Sequence, residues 1–259
     1  MGDEASARSI EPRAWQAVLE HVERKLLDGE LAPGDRLPGE RQLAADLGVG
    51  RSSVREALRV LEVLGLIRTH AGSGPTAGAI IIATPGGGMS ALMRLQVAAS
   101  GFPVADIVAT RLLLETHVAG DLATACARDA ASAPDFTAAE RLLDAMDDPA
   151  LDPAEFLALD AAFHLALAEA SGNQVVTATM AGLRSGIEGY ALAGQERIAD
   201  WAATSARLRT EHRGVLAAIR AADAAAARSR IRDHISGYYA EISPETDTDA
   251  GVPGASDLP

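Results

Sequence analysis

LAPGDRLPGERQLAADLGVGRSSVREALRVLEVLGLI, Leu31–Ile67, decides the fold. Its first nine residues carry two Pro-Gly steps and read as a turn. ERQLAADL, 40–47, follows as a short helix that Gly48 ends. RSSVREALRVLEVLG, 51–65, predicts a second helix, with Val54, Leu58, Leu61 and Leu64 at inward spacing and Gly65 as its stop. Upstream, Trp15, Val18, Leu19, Val22, Leu26 and Leu27 recur at helical spacing until Asp28-Gly29. Downstream, LIRTH and AIIIA are short β-rich runs on either side of AGSGPTAG, which predicts a hairpin. Helix, helix, turn, helix, hairpin is the order of a winged helix-turn-helix.

TPGGGM, 84–89, has the composition of a linker. Beyond it only helical periodicity recurs, over about 90–99, 104–130, 136–146, 153–170, 174–193, 196–221 and 224–240. The expected fold is mainly α: a winged helix-turn-helix of three helices plus a β-hairpin wing, then an all-α antiparallel helical bundle. The expected domains are 10–83 for the winged helix, 84–90 for the linker and 91–240 for the bundle. Residues 241–259 are acidic, rich in Pro and Gly and without apolar period, which reads as a disordered tail.

Composition narrows the class. Apolar residues form 48% of the chain and aromatics only 3%, so helix packing is expected to rest on Ala, Leu, Val and Ile. One cysteine, Cys126, leaves no intrachain disulfide and fits a reducing cytosol. No apolar run approaches the roughly 18–20 residues of a membrane span. The start MGDEASARSI does not read as a signal peptide. A soluble cytoplasmic protein with no membrane partner is the expectation.

The net charge of −13 argues against nucleic acid until its distribution is considered. Residues 36–70 hold 6 Arg against 4 acids, a basic island in an acidic chain. A DNA contact must then come from a few placed arginines rather than bulk attraction. The second helix of a helix-turn-helix enters the major groove by its N-terminus, and here that turn holds Arg51, Ser52, Ser53 and Arg55. Arginine serves guanine edges as a fork and phosphates as a charge. Arg41 opens the preceding helix, toward the flanking backbone. The alternative is that these arginines are merely solvated, although the helix dipole disfavours cations at helix starts.

The second half offers a different chemistry. LALDAAFHLAL puts Asp160 and His164 at i, i+4, on one helical face. A turn near 222 would fold the following helices into a hairpin and bring His212 and His234 level. Asp with three His is a donor set that suits a divalent metal ion, Zn²⁺ first, with Ni²⁺ or Mn²⁺ also fitting. Alternatively, each histidine satisfies only a local hydrogen bond. His21 and His117 read as structural or solvated.

The quoted stretch resembles the DNA-binding domain of the GntR family of bacterial transcription regulators, through PGDRLP, ER.LA, LGV, R..VREAL..L and GLI. The resemblance implies that Arg41, Arg51 and Arg55 contact DNA and that the hairpin tip around Gly72 approaches the minor groove. Where the family usually has Ser or Thr ahead of the two helices, this chain has Gly39 and Gly50. Glycine at an N-cap costs only a few tenths of a kcal/mol relative to serine. LQVAASGFPVADIVATRLLLE, LDAAFHLALAEASGN, EHRGVLAAI and DHI resemble the FCD effector domain of the FadR-like GntR subgroup, over 91–240. That resemblance implies a metal held by Asp160, His164, His212 and His234, and a small carboxylate completing its coordination. Arg111, in R..LE, is then the candidate partner of the carboxylate, against an internal salt bridge to Glu115. Asn173 is a candidate pocket contact, against a cap between helices.

These readings converge on a metabolite-responsive transcription regulator, not an enzyme, binding a double-stranded inverted-repeat operator as a homodimer. A pure metal sensor is the alternative. A metal-dependent hydrolase fused to a DNA-binding head is a third reading, but no HExxH-like base, nucleophile elbow or phosphate loop supports it.

Overall fold

The computed structural model describes residues 14–70, 78–82, 86–99, 101–128 and 133–243. It contains ten helices and a two-stranded sheet among these residues. The described residues of Met1–Gln96 and Gln174–Gly182 form one compact unit, and those of Val97–Asn173 and Leu183–Pro259 a second. The wing tip with Gly72 and most of the acidic tail lie outside the described residues.

In the first unit α1 (Ala14–Leu27), α2 (Glu40–Leu47) and α3 (Arg51–Val63) precede β1 (Ile67–His70) and β2 (Gly78–Ile81). Val18 and Val22 of α1 pack with Leu43, Val54, Ala57 and Leu61, and with Leu37, Ile67 and Ile81 under the hairpin. Leu64, read as inward, is exposed, as is Leu27 at the end of the apolar period of α1, each in or just beyond the last turn of its helix, where the apolar stripe has left the core. Gly48 ends α2 with φ 64°, a left-handed conformation that glycine adopts without a Cβ penalty. The strands pair antiparallel, Ile67 opposite Ile81 and His70 opposite Gly78. The stretch read only as a turn does more than turn. Gly34 and Leu37 donate to Ile81 and Ala79, and Ile81 donates back to Asp35, so this stretch forms a third edge on the hairpin.

The linker read at 84–90 is corrected: α4 (Gly86–Ala98) is already helical there. One of its glycines serves packing rather than freedom. A Cβ on Gly88 would collide with the backbone of Leu64, so only glycine admits this approach. Ser90 Oγ donates to Ala178 O at 2.9 Å, joining α4 to the first turns of α8 (Gln174–Gln195).

The second unit contains α5 (Val104–Cys126), α6 (Thr137–Met146), α7 (Pro153–Ala170), the remainder of α8, α9 (Trp201–Arg220) and α10 (Ala224–Ile242). α10 packs on α5 and α9, and α7 on α5 and α6. The helix read to residue 130 ends at Cys126, with Ala127 as its cap. The helix read from 196 begins at Trp201, where the Asp200 side chain accepts from Ala203 N. α7 begins with a full capping box between Asp152 and Glu155, with Pro153 in its first turn. Ala119, Leu122, Ala123, Ala227, Ile231 and Ile235 are buried, as the aromatic-poor composition predicts. Phe156 and Phe163 are nevertheless among the largest fully buried side chains, and Phe163 stands beside the site described next.

Candidate functional site: a buried Asp/His cluster and an exposed arginine face

Asp160 and His164 project from α7 one turn apart, His212 comes from α9 and His234 from α10. The chain reverses at Ala221–Asp223, with Ala222 at φ 59°, and brings the rings of His212 and His234 to 4.3 Å between centroids. One donor atom from each of the four residues lies within 4.8 Å of all the others, and all four residues are buried. His212 Nε2 is 2.8 Å from Asp160 Oδ1. The Nε2 atoms of His164 and His234 are 3.2 Å apart, and each is 3.8 Å from the same carboxylate oxygen. Donors held at about 2.0–2.2 Å from one ion stand roughly 3 Å apart in adjacent positions, so these separations fit a common ligand shell.

Hydrogen bonding alone leaves this cluster unsatisfied. Both ring nitrogens of His212 are buried without a hydrogen bond, the Asp160 contact lying off the required geometry. Burial lowers the pKa of His212, and burial together with the neighbouring His212 lowers that of His234 to about 3. Burial opposes the Asp160 carboxylate, but the surrounding imidazoles outweigh it and hold its pKa well below the usual range. The neutral form that burial favours at His212 and His234, beside an ionised Asp160, is the state a metal requires of such ligands. The four residues could therefore hold a divalent cation.

Charged residues surround the cluster. Glu115, from α5, places Oε2 at 2.5 Å from His164 Nδ1 and Oε1 at 2.5 Å from Arg111 Nε. Burial works against the Glu115 carboxylate, yet Arg111 and His164 bring its pKa down to about 2. Arg111 is only 4% exposed. It makes the internal pair with Glu115 that was the alternative to an effector contact, and its Nη2 is buried without a hydrogen-bond partner. Glu211 Oε2 accepts from His234 Nδ1 at 2.9 Å. Sequence reasoning named Glu115 only as a partner for Arg111 and missed Glu211, although Glu211 adjoins His212. Asn173 is exposed, and its backbone N–H donates to Ser171 Oγ in the turn between α7 and α8.

The first unit carries the arginine face. Arg41, Arg51, Ser52 and Arg55 are exposed and Ser53 is half-buried, on the first turns of α2 and α3. Arg55 Nε is 3.2 Å from Glu40 Oε2, an open surface pair that leaves most of its guanidinium available. Arg55 and Arg59 line an open cleft of about 490 Å³ between α3 and the hairpin, with Thr69 and His70 opposite. Glu62 accepts from Thr69 N and Oγ1, tying α3 to β1. α3 begins at Gly50 with no side-chain cap. Anions bind well at such helix starts.

A winged helix-turn-helix with exposed arginines and a helical unit with a buried Asp/His cluster is the architecture on which comparison with known proteins bears. The family model described as bacterial regulatory proteins, gntR family, matches residues 15–76, and that of the FCD domain matches 106–237. The chain belongs to the gntR family of bacterial regulatory proteins and carries an FCD domain. It is 32% identical over 173 residues to the Glc operon transcriptional activator of Escherichia coli K12, a match covering 65% of each chain. It is 32% identical over 169 residues to the HTH-type transcriptional repressor NanR of Klebsiella aerogenes, covering 63% of this chain and 61% of that protein. The chain thus spans less than two thirds of the length of these relatives. A solved structure, Streptococcus agalactiae GntR, matches with TM-score 0.53 and 26% identity over 89% of this chain and all of that one. These relatives are regulators of transcription, not enzymes. Among the described residues no helix is long and apolar enough to cross a membrane.

Proposed function

We propose that the chain is a metabolite-responsive, DNA-binding transcription regulator that binds an inverted-repeat operator as a homodimer. Arg41, Arg51, Ser52, Ser53 and Arg55 contact the operator, with the wing around Gly72 at the minor groove. Asp160, His164, His212 and His234 hold a divalent metal ion, Zn²⁺ first and Ni²⁺ or Mn²⁺ otherwise. When bound, the ion supplies a Lewis-acid anchor for a small carboxylate. The observation that carries this reading is the convergence of four buried donor atoms within 4.8 Å, with His212 left without a hydrogen bond.

Arg111 is the charge next to this site with capacity to spare. Its Nε is occupied by Glu115, while Nη2 stays free of hydrogen bonds in a buried setting. A carboxylate there gains a charge-assisted bond to a guanidinium already held in place. Asn173 is assigned to the effector pocket on the family pattern alone. Effector occupancy changes operator affinity, which requires a coupling of only about 1–3 kcal/mol.

Elemental analysis of the purified protein beside His212→Ala tests the site. About one equivalent of metal is expected in the wild type and little in the variant. Its melting temperature should fall as well, because a metal that binds only the folded chain stabilises it. Equal metal content in both would refute the four-ligand site. A thermal-shift screen of small carboxylates on the metal-loaded protein, with operator titration, then separates an effector platform from a sensor that answers to metal alone.

A further inference from the structure

The three imidazoles of the cluster are not held alike. His212 has a buried Nδ1 with no hydrogen bond and relies on packing against Phe163, 4.9 Å between ring centroids. His164 has Glu115 2.5 Å from its Nδ1, but off hydrogen-bond geometry. His234 differs from both, because its Nδ1 makes a well-formed 2.9 Å hydrogen bond to Glu211 Oε2.

We infer that Glu211 is the positioning residue that makes His234 a ligand, by holding its proton on Nδ1 and its Nε2 lone pair toward Asp160 and His164. The inference rests on the metal reading above. A neutral imidazole carries one ring proton, and an acceptor at one nitrogen decides which nitrogen keeps it. With Glu211 at Nδ1, the free lone pair is on Nε2, the atom 3.2 Å from His164 Nε2 and 3.8 Å from Asp160 Oδ1. Without it, the proton is free to sit on Nε2 and block the site.

Glu211 is itself anchored. Its Oε1 accepts from Arg207 Nη1 at 2.7 Å, one turn earlier on α9. Arg207 Nη2 stands 2.8 Å from Glu241 Oε1, near the end of α10. The chain His234–Glu211–Arg207–Glu241 therefore crosses twice between the helices that supply His212 and His234. Glu211 is only partly buried and His234 is 3% exposed, so the proton-bearing edge of the ring faces outward and its ligating edge inward. Carboxylates in this position fix ring orientation and raise the basicity of the ligating nitrogen, and removing them typically lowers metal affinity about 10–100-fold.

The test titrates Zn²⁺ against a competing chelator on the full chain, in the wild type, Glu211→Ala, Glu211→Gln and His212→Ala. Glu211→Ala should bind about 10–100-fold more weakly than wild type, with Glu211→Gln between them because its amide oxygen still accepts. Nitrogen-15 spectra of the metal-free protein supply a readout that a merely structural role would not move. His234 should be protonated on Nδ1 in the wild type and shift toward Nε2 in Glu211→Ala. If the wild type binds Zn²⁺ and His212→Ala does not, wild-type affinity in both Glu211 variants overturns the inference alone. If the wild type takes up no metal, the metal reading itself fails and His234 has no ligand role to support. Should Glu211→Ala not fold, Glu211→Gln decides on affinity, with wild-type Zn²⁺ affinity as the refuting result.

Discussion

The two units treat their polar groups in opposite ways. In the winged-helix unit, α2 and α3 start at Gly39 and Gly50, neither with a side-chain cap, and their arginines face solvent. In the helical unit, α7, α9 and α10 start at Asp152, Asp200 and Asp223, each accepting a first-turn amide. There Arg111, Glu115, Asp160 and the three histidines are buried together. The first unit leaves these helix starts and arginines open to solvent, whereas the second caps three of its helices with aspartates and buries a cluster of charged groups. Function and stability should therefore separate under mutation in the first unit and be inseparable in the second.

The sharpest way to break that contrast is Glu115→Ala. Glu115 is the carboxylate against buried Arg111 and also lies beside His164. Removing one partner of a buried ion pair leaves an uncompensated charge, at a cost of about 3–5 kcal/mol. Denaturant unfolding of the metal-free protein should show a loss of this size in the helical unit. A change below about 1 kcal/mol, the range of exposed ion pairs, would show that the pair behaves like a surface one.

Arg51→Ala probes the other side. Arg51 is exposed at the first position of α3, so its loss should hardly alter unfolding. Operator affinity should fall by about 1–3 kcal/mol if it reads a base, with a shallower salt slope if it meets a phosphate. Fluorescence titration at two fixed salt concentrations distinguishes these contacts. Unchanged affinity at both would remove Arg51 from the interface.

Legibility in the sequence divided local signals from long-range contacts, within both units. The ends of α2 coincide with ERQLAADL because a glycine stands at each boundary, a local signal. The edge that residues 34–37 add to β2 was not legible, because it depends on pairing with a strand more than forty residues away. The run read as a linker failed for a related reason: Gly88 is required by its contact with Leu64, and composition cannot tell a packing glycine from a flexible one. At the cluster, the spacing of Asp160 and His164 and the hairpin turn near 222 lead to residues that the structure brings together. Glu211 escaped because it and His212 are sequence neighbours, about 100° apart around the helix. His212 turns into the cluster, whereas Glu211 meets the outer nitrogen of His234 on the next helix.

The smallest expected effect bears on the helix starts, where Gly50→Ser gives α3 the cap that α7 already has. Gly50 sits at φ −68° and ψ 146°, an extended conformation open to any residue. A Cβ there would meet Ser52 Oγ at 3.5 Å and Ser53 Oγ at 3.9 Å, ordinary contact distances. Serine can therefore enter without strain and accept from a first-turn amide. The gain over glycine at an N-cap is only a few tenths of a kcal/mol. A small rise in melting temperature of the free protein, about 1–2 °C, is the expected result. The hydroxyl that accepts from this amide keeps its own proton to donate to a phosphate, so operator affinity should hold or rise together with the cap. A lower melting temperature would mean that the glycine is required by the backbone, and that the contrast in capping between the units reflects geometry rather than use.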